Sequence, residues 1–173
     1  NRVFSGTKYA VFIAVDKYNI NAGMSDLNGC KKDANYVKKC LVEQYDYQPI
    51  EPEEGTNILS NENATQRGIQ QLFEKCSRTV NQDDQLLIFM AGHGCPQGFI
   101  CHDHEKGNSK YISFKQLLHT VIYGENNKKP EDRRIKSAHV LFVIDACFSG
   151  NAISKKFHVP FKPSLREEEK TPP

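Results

Sequence analysis

The sequence QLLIFMAGHG at residues 85–94 is a nearly unbroken apolar run that ends in a histidine between two glycines. A second apolar run, HVLFVIDACFSG at residues 139–150, leads into an aspartate and a cysteine. Apolar runs without alternation are typical of parallel strands that are covered on both faces. Both segments are therefore predicted to be buried strands with reactive side chains at their carboxyl ends, where open α/β sheets bind ligands.

The segments around these two strands alternate between strands and helices. A third apolar strand is predicted over Tyr9–Val15, and a short one over Thr56–Leu59. Apolar residues that recur every three or four positions predict three helices. Candidate N-terminal caps precede each of them: Ser25 or Asp26, then Thr65, then Ser113. This order predicts an α/β fold with a mostly parallel sheet and helices on both faces.

Length and charge narrow the class of protein. A chain of 173 residues suggests one domain with a core of ordinary size. The 23 basic and 21 acidic side chains leave a formal charge of only +2, which does not favour a nucleic acid or an anionic membrane as partner. The longest apolar runs are far shorter than the roughly 20 residues that cross a bilayer.

The cysteines indicate the redox compartment. Six cysteines could form three disulfides, but Cys30, Cys40 and Cys76 fall within helical patterns. A reduced cysteine at such a position behaves as a small core residue. Because no signal-peptide pattern opens the sequence, we expect a reducing, cytoplasmic location.

A thiol and an imidazole are predicted to share one edge of the sheet. If the two strands are parallel neighbours, His93 and Cys147 emerge side by side. An imidazole there can take the proton of the thiol and later protonate a leaving amine. The amides of Gly94 and Cys147 could stabilise an oxyanion, where one donor contributes about 3 kcal/mol. A lone histidine or cysteine at a strand end is usually structural, but the pair at two such ends favours catalysis.

These motifs carry a resemblance to a known family. AGHG at residues 91–94, DACFSG at 145–150 and NGCKKDA at 28–34 resemble caspase-like cysteine peptidases of clan CD, peptidase family C14. The similarity is greatest to the metacaspase branch, with its related paracaspases and orthocaspases, and it covers about Tyr9 to Gly150. The resemblance implies a caspase-like three-layer sandwich, with His93 as general base and acid and Cys147 as nucleophile. A histidine about 50 residues before the cysteine also agrees with the caspase spacing.

The resemblance further implies that Asp33 and Asp145 line the substrate pocket. Asp145 and Cys147 lie on the same side of an extended chain, so that carboxylate would sit near the nucleophile. Two carboxylates favour a guanidinium or ammonium group, which predicts cleavage after Arg or Lys. Two alternatives stay open: Asp33 as a solvated helix residue, and Asp145 as an acceptor for loop amides.

One departure from the family pattern concerns calcium. Calcium-dependent metacaspases resemble one another in an Asp-rich stretch after the histidine, whereas residues 95–112 offer only Asp103 and Glu105. Because calcium takes six to eight oxygen ligands, we expect calcium independence. No cofactor and no metal site are predicted. A cluster of thiol and imidazole groups could suggest zinc, but its spacing matches no standard site and favours a hairpin with incidental ligands: Cys95, Cys101, His102 and His104.

The second departure from the family pattern is length. Only 26 residues follow Cys147, and they lack the apolar strands of a small subunit. We therefore expect a large-subunit catalytic domain over residues 1–154, an extended tail over residues 155–173, and a small-subunit segment supplied separately or truncated. Basic residues suggest self-cleavage sites, although they could equally be solvated loop charges: Lys128, Lys129, Arg133, Arg134, Arg166 and Lys170.

The sequence thus predicts a cysteine endopeptidase that acts on protein or peptide substrates after a basic residue. Two alternatives remain. One is a catalytically silent caspase-like scaffold or interaction domain, and the other is an Asp-specific caspase-type peptidase. Lys31 and Lys32, next to Asp33, would be the residues that accept an acidic side chain in the last case.

Overall fold

The computed structural model describes residues 6–122 and 135–146. In chain order, the strands are β1 (Lys8–Ala14), β2 (Gln48–Pro49), β3 (Leu59–Ser60), β4 (Gln85–Ala91), β5 (Gly94–Cys95), β6 (Gly98–Ile100), β7 (Tyr111–Ser113) and β8 (His139–Asp145). The helices are α1 (Cys30–Tyr45), α2 (Gln66–Thr79) and α3 (Phe114–Ile122). Short 3₁₀ turns cover Ile20–Ala22 and Asn61–Asn63. The predicted cleavage sites and the predicted tail over residues 155–173 lie outside the described residues.

The central sheet is parallel and has the order β2-β1-β4-β8, with β3 also paired to β1. This confirms the predicted α/β class with a mostly parallel sheet. Strand β4 has the predicted bounds, whereas β1 begins and ends one residue earlier than predicted. The short strand predicted over Thr56–Leu59 is instead at Leu59–Ser60, and β2 was not predicted.

Helices cover both faces of this sheet, as predicted. On one face, Phe12 and Phe89 pack in a cluster with Ala34 of α1. On the opposite face, Ile13 and Ile88 share a core with residues of α2 and α3. Since alternate residues of β1 and β4 point to opposite faces, both strands bury nearly every side chain, which is why their sequences are continuously apolar.

Helix α1 is capped differently from the prediction. Its N-cap position is Gly29, which makes no side-chain capping bond, so the predicted caps Ser25 and Asp26 are wrong. The carboxylate of Asp16 instead accepts the backbone N–H of Cys30 at 2.8 Å and that of Lys31 at 3.0 Å. An anionic group at this position accepts hydrogen bonds from free N–H groups and interacts favourably with the positive end of the helix dipole.

The other two caps are confirmed. The Thr65 hydroxyl accepts the Gly68 N–H at 3.0 Å at the start of α2. The Ser113 hydroxyl accepts the Gln116 N–H at 3.0 Å at the start of α3. In both cases the capping residue directly precedes the helix, so the cap can be predicted from the neighbouring sequence.

A small antiparallel sheet, β5-β6-β7, follows the end of β4. It contains the predicted hairpin around Cys95. A Cβ atom at Gly98 would lie 2.1 Å from the Ile112 carbonyl oxygen, so only glycine allows β6 and β7 to approach this closely. The hairpin fixes the path of the chain directly after His93.

Strand β8 is the last strand of the central sheet in the part of the chain that is described. Val140, Phe142 and Ile144 pack against the core on the α2 and α3 side. Leu141 and Val143 point to the α1 side, where 56% and 38% of their surface is exposed. No helix within residues 6–122 and 135–146 has the length and apolar character needed to cross a bilayer.

Candidate active site

The carboxyl ends of β4 and β8 lie at one edge of the sheet. Ala91 pairs with Asp145, and the Gly92 N–H donates to the Asp145 carbonyl at 3.1 Å. His93 is the second residue after Ala91, and Cys147 is the second residue after Asp145. Cys147 itself lies outside the described residues, so the structure describes one half of the predicted dyad and the strand that leads to the other.

His93 is held by the β1–α1 loop (residues 15–29). Its Nε2 atom lies 2.8 Å from the Ser25 carbonyl oxygen. Because a carbonyl oxygen only accepts hydrogen bonds, Nε2 must carry the hydrogen. In the neutral ring, Nδ1 is then the basic nitrogen. The histidine is half-buried and thus reachable from solvent.

Tyr18, in the same loop, contacts His93 twice. The His93 backbone N–H donates to the Tyr18 hydroxyl oxygen at 2.7 Å, and the two ring centroids are 5.0 Å apart. Tyr18 is buried, and this burial raises the pKa of its phenol above the usual value. Sequence reasoning missed both Tyr18 and Ser25, since their only local signal is a position in a polar loop after a strand.

The two glycines that flank His93 have distinct surroundings. A Cβ atom at Gly92 would lie 2.9 Å from the Tyr18 hydroxyl and 3.0 Å from the Phe99 ring, so a side chain there would displace them. Gly94 belongs to β5 and pairs with Phe99. The Ile100 N–H donates to the His93 carbonyl at 3.0 Å. His93 is therefore fixed from both sides, by the β1–α1 loop and by β6.

Three carboxylates act on the thiol of Cys30, the first residue of α1. The pKa of this thiol is raised to about 12, and burial is the largest cause. The smaller causes are, in order, the negative charge of Asp16, its hydrogen bond with the thiol, and the charges of Asp145 and Asp33. Asp33 and Asp145 therefore both act electrostatically on the same thiol. Sequence reasoning missed the contribution of Asp16.

Both predicted pocket residues are open to solvent. Asp33 lies in the first turn of α1 and Asp145 at the end of β8, and both are exposed. Exposed carboxylates at a strand end and a helix start can receive the side chain of an incoming ligand. Their negative charge favours a cation.

Three polar side chains between residues 101 and 110 make hydrogen bonds within the protein. The Asp103 carboxylate accepts the Gln66 N–H at 2.9 Å, and the Glu105 carboxylate accepts from the Asn19 side-chain amide at 3.2 Å. His102 Nδ1 donates to the Lys17 carbonyl at 2.6 Å. Across the described ranges, no group of three or more His, Cys, Asp or Glu side chains is arranged to hold a metal ion.

The cysteines within the described ranges are free thiols: Cys30, Cys40, Cys76, Cys95 and Cys101. Cys76 and Cys101 are buried, and this burial raises the pKa of both thiols. These two therefore act as small core residues, as expected for reduced cysteines in helical or buried positions.

Comparison with known proteins gives the same family. The Caspase domain family matches residues 7–172. Metacaspase-4 of Arabidopsis thaliana is 24% identical over 158 residues, which cover 86% of this chain and 35% of that protein. Metacaspase-1 of Eremothecium gossypii is 23% identical and Metacaspase-1 of Plasmodium falciparum is 24% identical. The matches to these two cover 94% and 95% of this chain but only 36% and 27% of the relatives.

The chain therefore spans roughly a third of the length of these relatives. The match nevertheless includes the parallel sheet, the loop that holds His93 and the motif around residue 147. The chain belongs to the caspase-domain family of cysteine-type peptidases, which are hydrolases, and its relatives place it in the metacaspase branch.

Proposed function

We propose that this chain is a cysteine endopeptidase in which Cys147 and His93 cleave peptide bonds after Arg or Lys. The register of β4 and β8 carries the proposal. Ala91 is paired with Asp145, and His93 and Cys147 each follow these paired residues by two positions, which supports their being neighbours. The family match supports the same assignment.

The tautomer of His93 suits the proposed chemistry. With Nε2–H donating to Ser25, the Nδ1 lone pair takes the proton of the Cys147 thiol. The thiolate attacks the substrate carbonyl carbon, and the resulting oxyanion accepts from the Gly94 and Cys147 N–H groups. The imidazolium then gives its proton to the leaving amine, which leaves a thioester. His93 deprotonates a water, and the attack of that water releases the acid and restores the thiol.

The preference for a basic side chain is proposed from the carboxylates near Cys30. Asp33 and Asp145 are exposed and close enough to one thiol to raise its pKa. A guanidinium group could pair with both in forked geometry, whereas an aspartate side chain would meet like charge. Asp16 adds a third negative charge to the same region.

Calcium independence is proposed from the β6–β7 loop (residues 101–110). Asp103 and Glu105 both accept hydrogen bonds from protein groups, one of which begins α2. Too few free carboxylates then remain in this loop for a calcium ion, which needs several.

Three further properties belong to the same proposal. The free thiols support a reducing, cytoplasmic location. The exposed face of β8 supports a small-subunit segment that completes the sheet. A preference for cleavage after Arg or Lys would also allow self-processing, for example after Arg133, Arg134 or Arg166.

Turnover of fluorogenic peptides tests the activity and its specificity. We expect cleavage after Arg and Lys, none after Asp, and none by the Cys147→Ala variant. Activity confined to Asp peptides would contradict the pocket assignment. A folded protein that cleaves none of the three, alone or with the rest of its natural chain, would instead favour the scaffold alternative.

Chelation tests the metal requirement. We expect the rate on Arg peptides to be the same with and without excess chelator. A rate that falls in chelator and returns only with added calcium would contradict calcium independence.

A further inference from the structure

We infer that Tyr18 is a positioning residue, which sets the orientation of the His93 ring for proton transfer. The inference rests on the proposed function, since it concerns how the base of that site is held. Tyr18 acts through His93 and has no contact with substrate in this scheme.

The contacts of His93 define its ring position at three points. The backbone N–H of His93 donates to the Tyr18 hydroxyl at 2.7 Å, which fixes the main chain. The Tyr18 ring lies against the imidazole with centroids 5.0 Å apart and planes inclined by 43°. The Ser25 carbonyl accepts from Nε2. An imidazole has two side-chain torsions, and these contacts restrain both.

Tyr18 is itself well fixed. Its backbone N–H donates to the Asp26 carboxylate at 3.2 Å, and that carboxylate pairs with the Lys17 ammonium at 3.1 Å. The Tyr18 side chain is buried in the larger core cluster. Its hydroxyl also lies 2.9 Å from where a Cβ atom of Gly92 would be, so no side chain fits between the tyrosine and the strand end.

The hydroxyl group is the part of Tyr18 that phenylalanine would lack. A Phe at this position keeps the ring and its contact with the imidazole. It removes the acceptor of the His93 N–H, which then needs a new partner or stays unpaired. The backbone of His93 would relax, and Nδ1 would no longer be held in one orientation, whereas the proton transfer of the proposed function requires a close approach of donor and acceptor.

Steady-state kinetics of Tyr18→Phe test the inference. We expect kcat on an Arg peptide to fall about tenfold with KM unchanged, because the substrate pocket is not altered. Tyr36→Phe is the matched control, since Tyr36 is 79% exposed on α1, and should behave as wild type. An active wild type with an unchanged Tyr18→Phe variant would overturn the inference while leaving the proposed function intact.

A measurement that needs no activity accompanies the kinetics. In the Cys147→Ala background, ¹⁵N NMR of the histidine rings reports which nitrogen of His93 carries the hydrogen, with His93→Gln used for assignment. We expect Nε2–H in the parent and a mixture of tautomers in Tyr18→Phe. An identical His93 spectrum in both would overturn the inference, even if the wild type cleaved no peptide.

A second variant covers the case in which Tyr18→Phe does not fold. Gly92→Ala places a methyl group against the Tyr18 hydroxyl from the strand side. We expect Gly92→Ala to lower kcat and to change the His93 ring signals in the same way as Tyr18→Phe. Unchanged kinetics and ring signals in Gly92→Ala would count against the role of the Tyr18 hydroxyl.

Discussion

Asp33 is the pocket residue whose contribution can be measured most directly. It lies in the first turn of α1, on a different element from Asp145, and its side chain is exposed. We expect Asp33→Asn to lower kcat/KM for Arg peptides by about 10- to 100-fold. A hydrogen bond to a charged group contributes about 1.5–3 kcal/mol, and about 1.4 kcal/mol is a factor of ten.

Glu43→Gln provides the control for this experiment. Glu43 is an exposed carboxylate of the same helix, about three turns further on. The two substitutions remove the same charge, so only proximity to the pocket differs. Equal losses in both variants would mean that long-range charge, and not a pocket contact, sets the preference.

Some site residues can be predicted from the sequence because a local pattern marks them, whereas others are positioned only by long-range contacts. His93 follows an apolar strand and Asp145 ends another, so their place at a sheet edge follows from a local pattern. Tyr18 and Ser25 are separated from His93 by 75 and 68 residues. Their contacts with His93 depend on the path of a polar loop, and the hydrophobic periodicity of the sequence does not predict that path.

Asp16 connects the end of β1 with the start of α1. Its carboxylate accepts two N–H groups of the helix, and its carbonyl accepts the Leu27 N–H at 2.7 Å. We expect Asp16→Ala to lower the free energy of unfolding by about 1–2 kcal/mol, the usual cost of losing a helix cap. Urea denaturation followed by circular dichroism measures this difference.

Asp83→Ala is the comparison for that measurement. Asp83 is an exposed aspartate in the turn before β4. We expect its substitution to change the free energy of unfolding by less than about 0.5 kcal/mol, as is usual at the surface. If Asp16→Ala were no more destabilising than Asp83→Ala, the carboxylate would not be acting as the cap of α1.

The predictable elements are those whose signals are local. Strand β4 and the caps Thr65 and Ser113 could be read from neighbouring residues. The cap of α1 could not, because Asp16 precedes Cys30 by 14 residues and reaches it only through the folded loop. The small sheet has strands of two or three residues, too short to show an alternating pattern.

Strand β4 contributes side chains to both core clusters of the described residues. Ile88 lies in β4 between β1 and β8 and is fully buried in the larger core cluster. We expect Ile88→Ala to lower the free energy of unfolding by about 2–5 kcal/mol, the range for removing a large buried aliphatic side chain. Chemical denaturation gives the value.

Leu141→Ala is the paired substitution in the neighbouring strand. Leu141 belongs to β8, and 56% of its surface is exposed. We expect it to cost less than about 1 kcal/mol. Equal losses of unfolding free energy at Ile88 and Leu141 would show that the face of β8 carrying Leu141 is covered in solution. A bound small-subunit segment would produce that result.

The pairing of β8 with β4 also limits which insertions and deletions the coding sequence can tolerate. Side chains of a strand alternate between faces, so inserting or deleting a single codon between residues 139 and 145 would turn the strand over. Asp145 would then take the orientation that Ala146 has now. Length variation in descendants of this sequence should therefore be rare in this strand and accumulate in exposed turns such as residues 53–56, which lie outside the strands and helices.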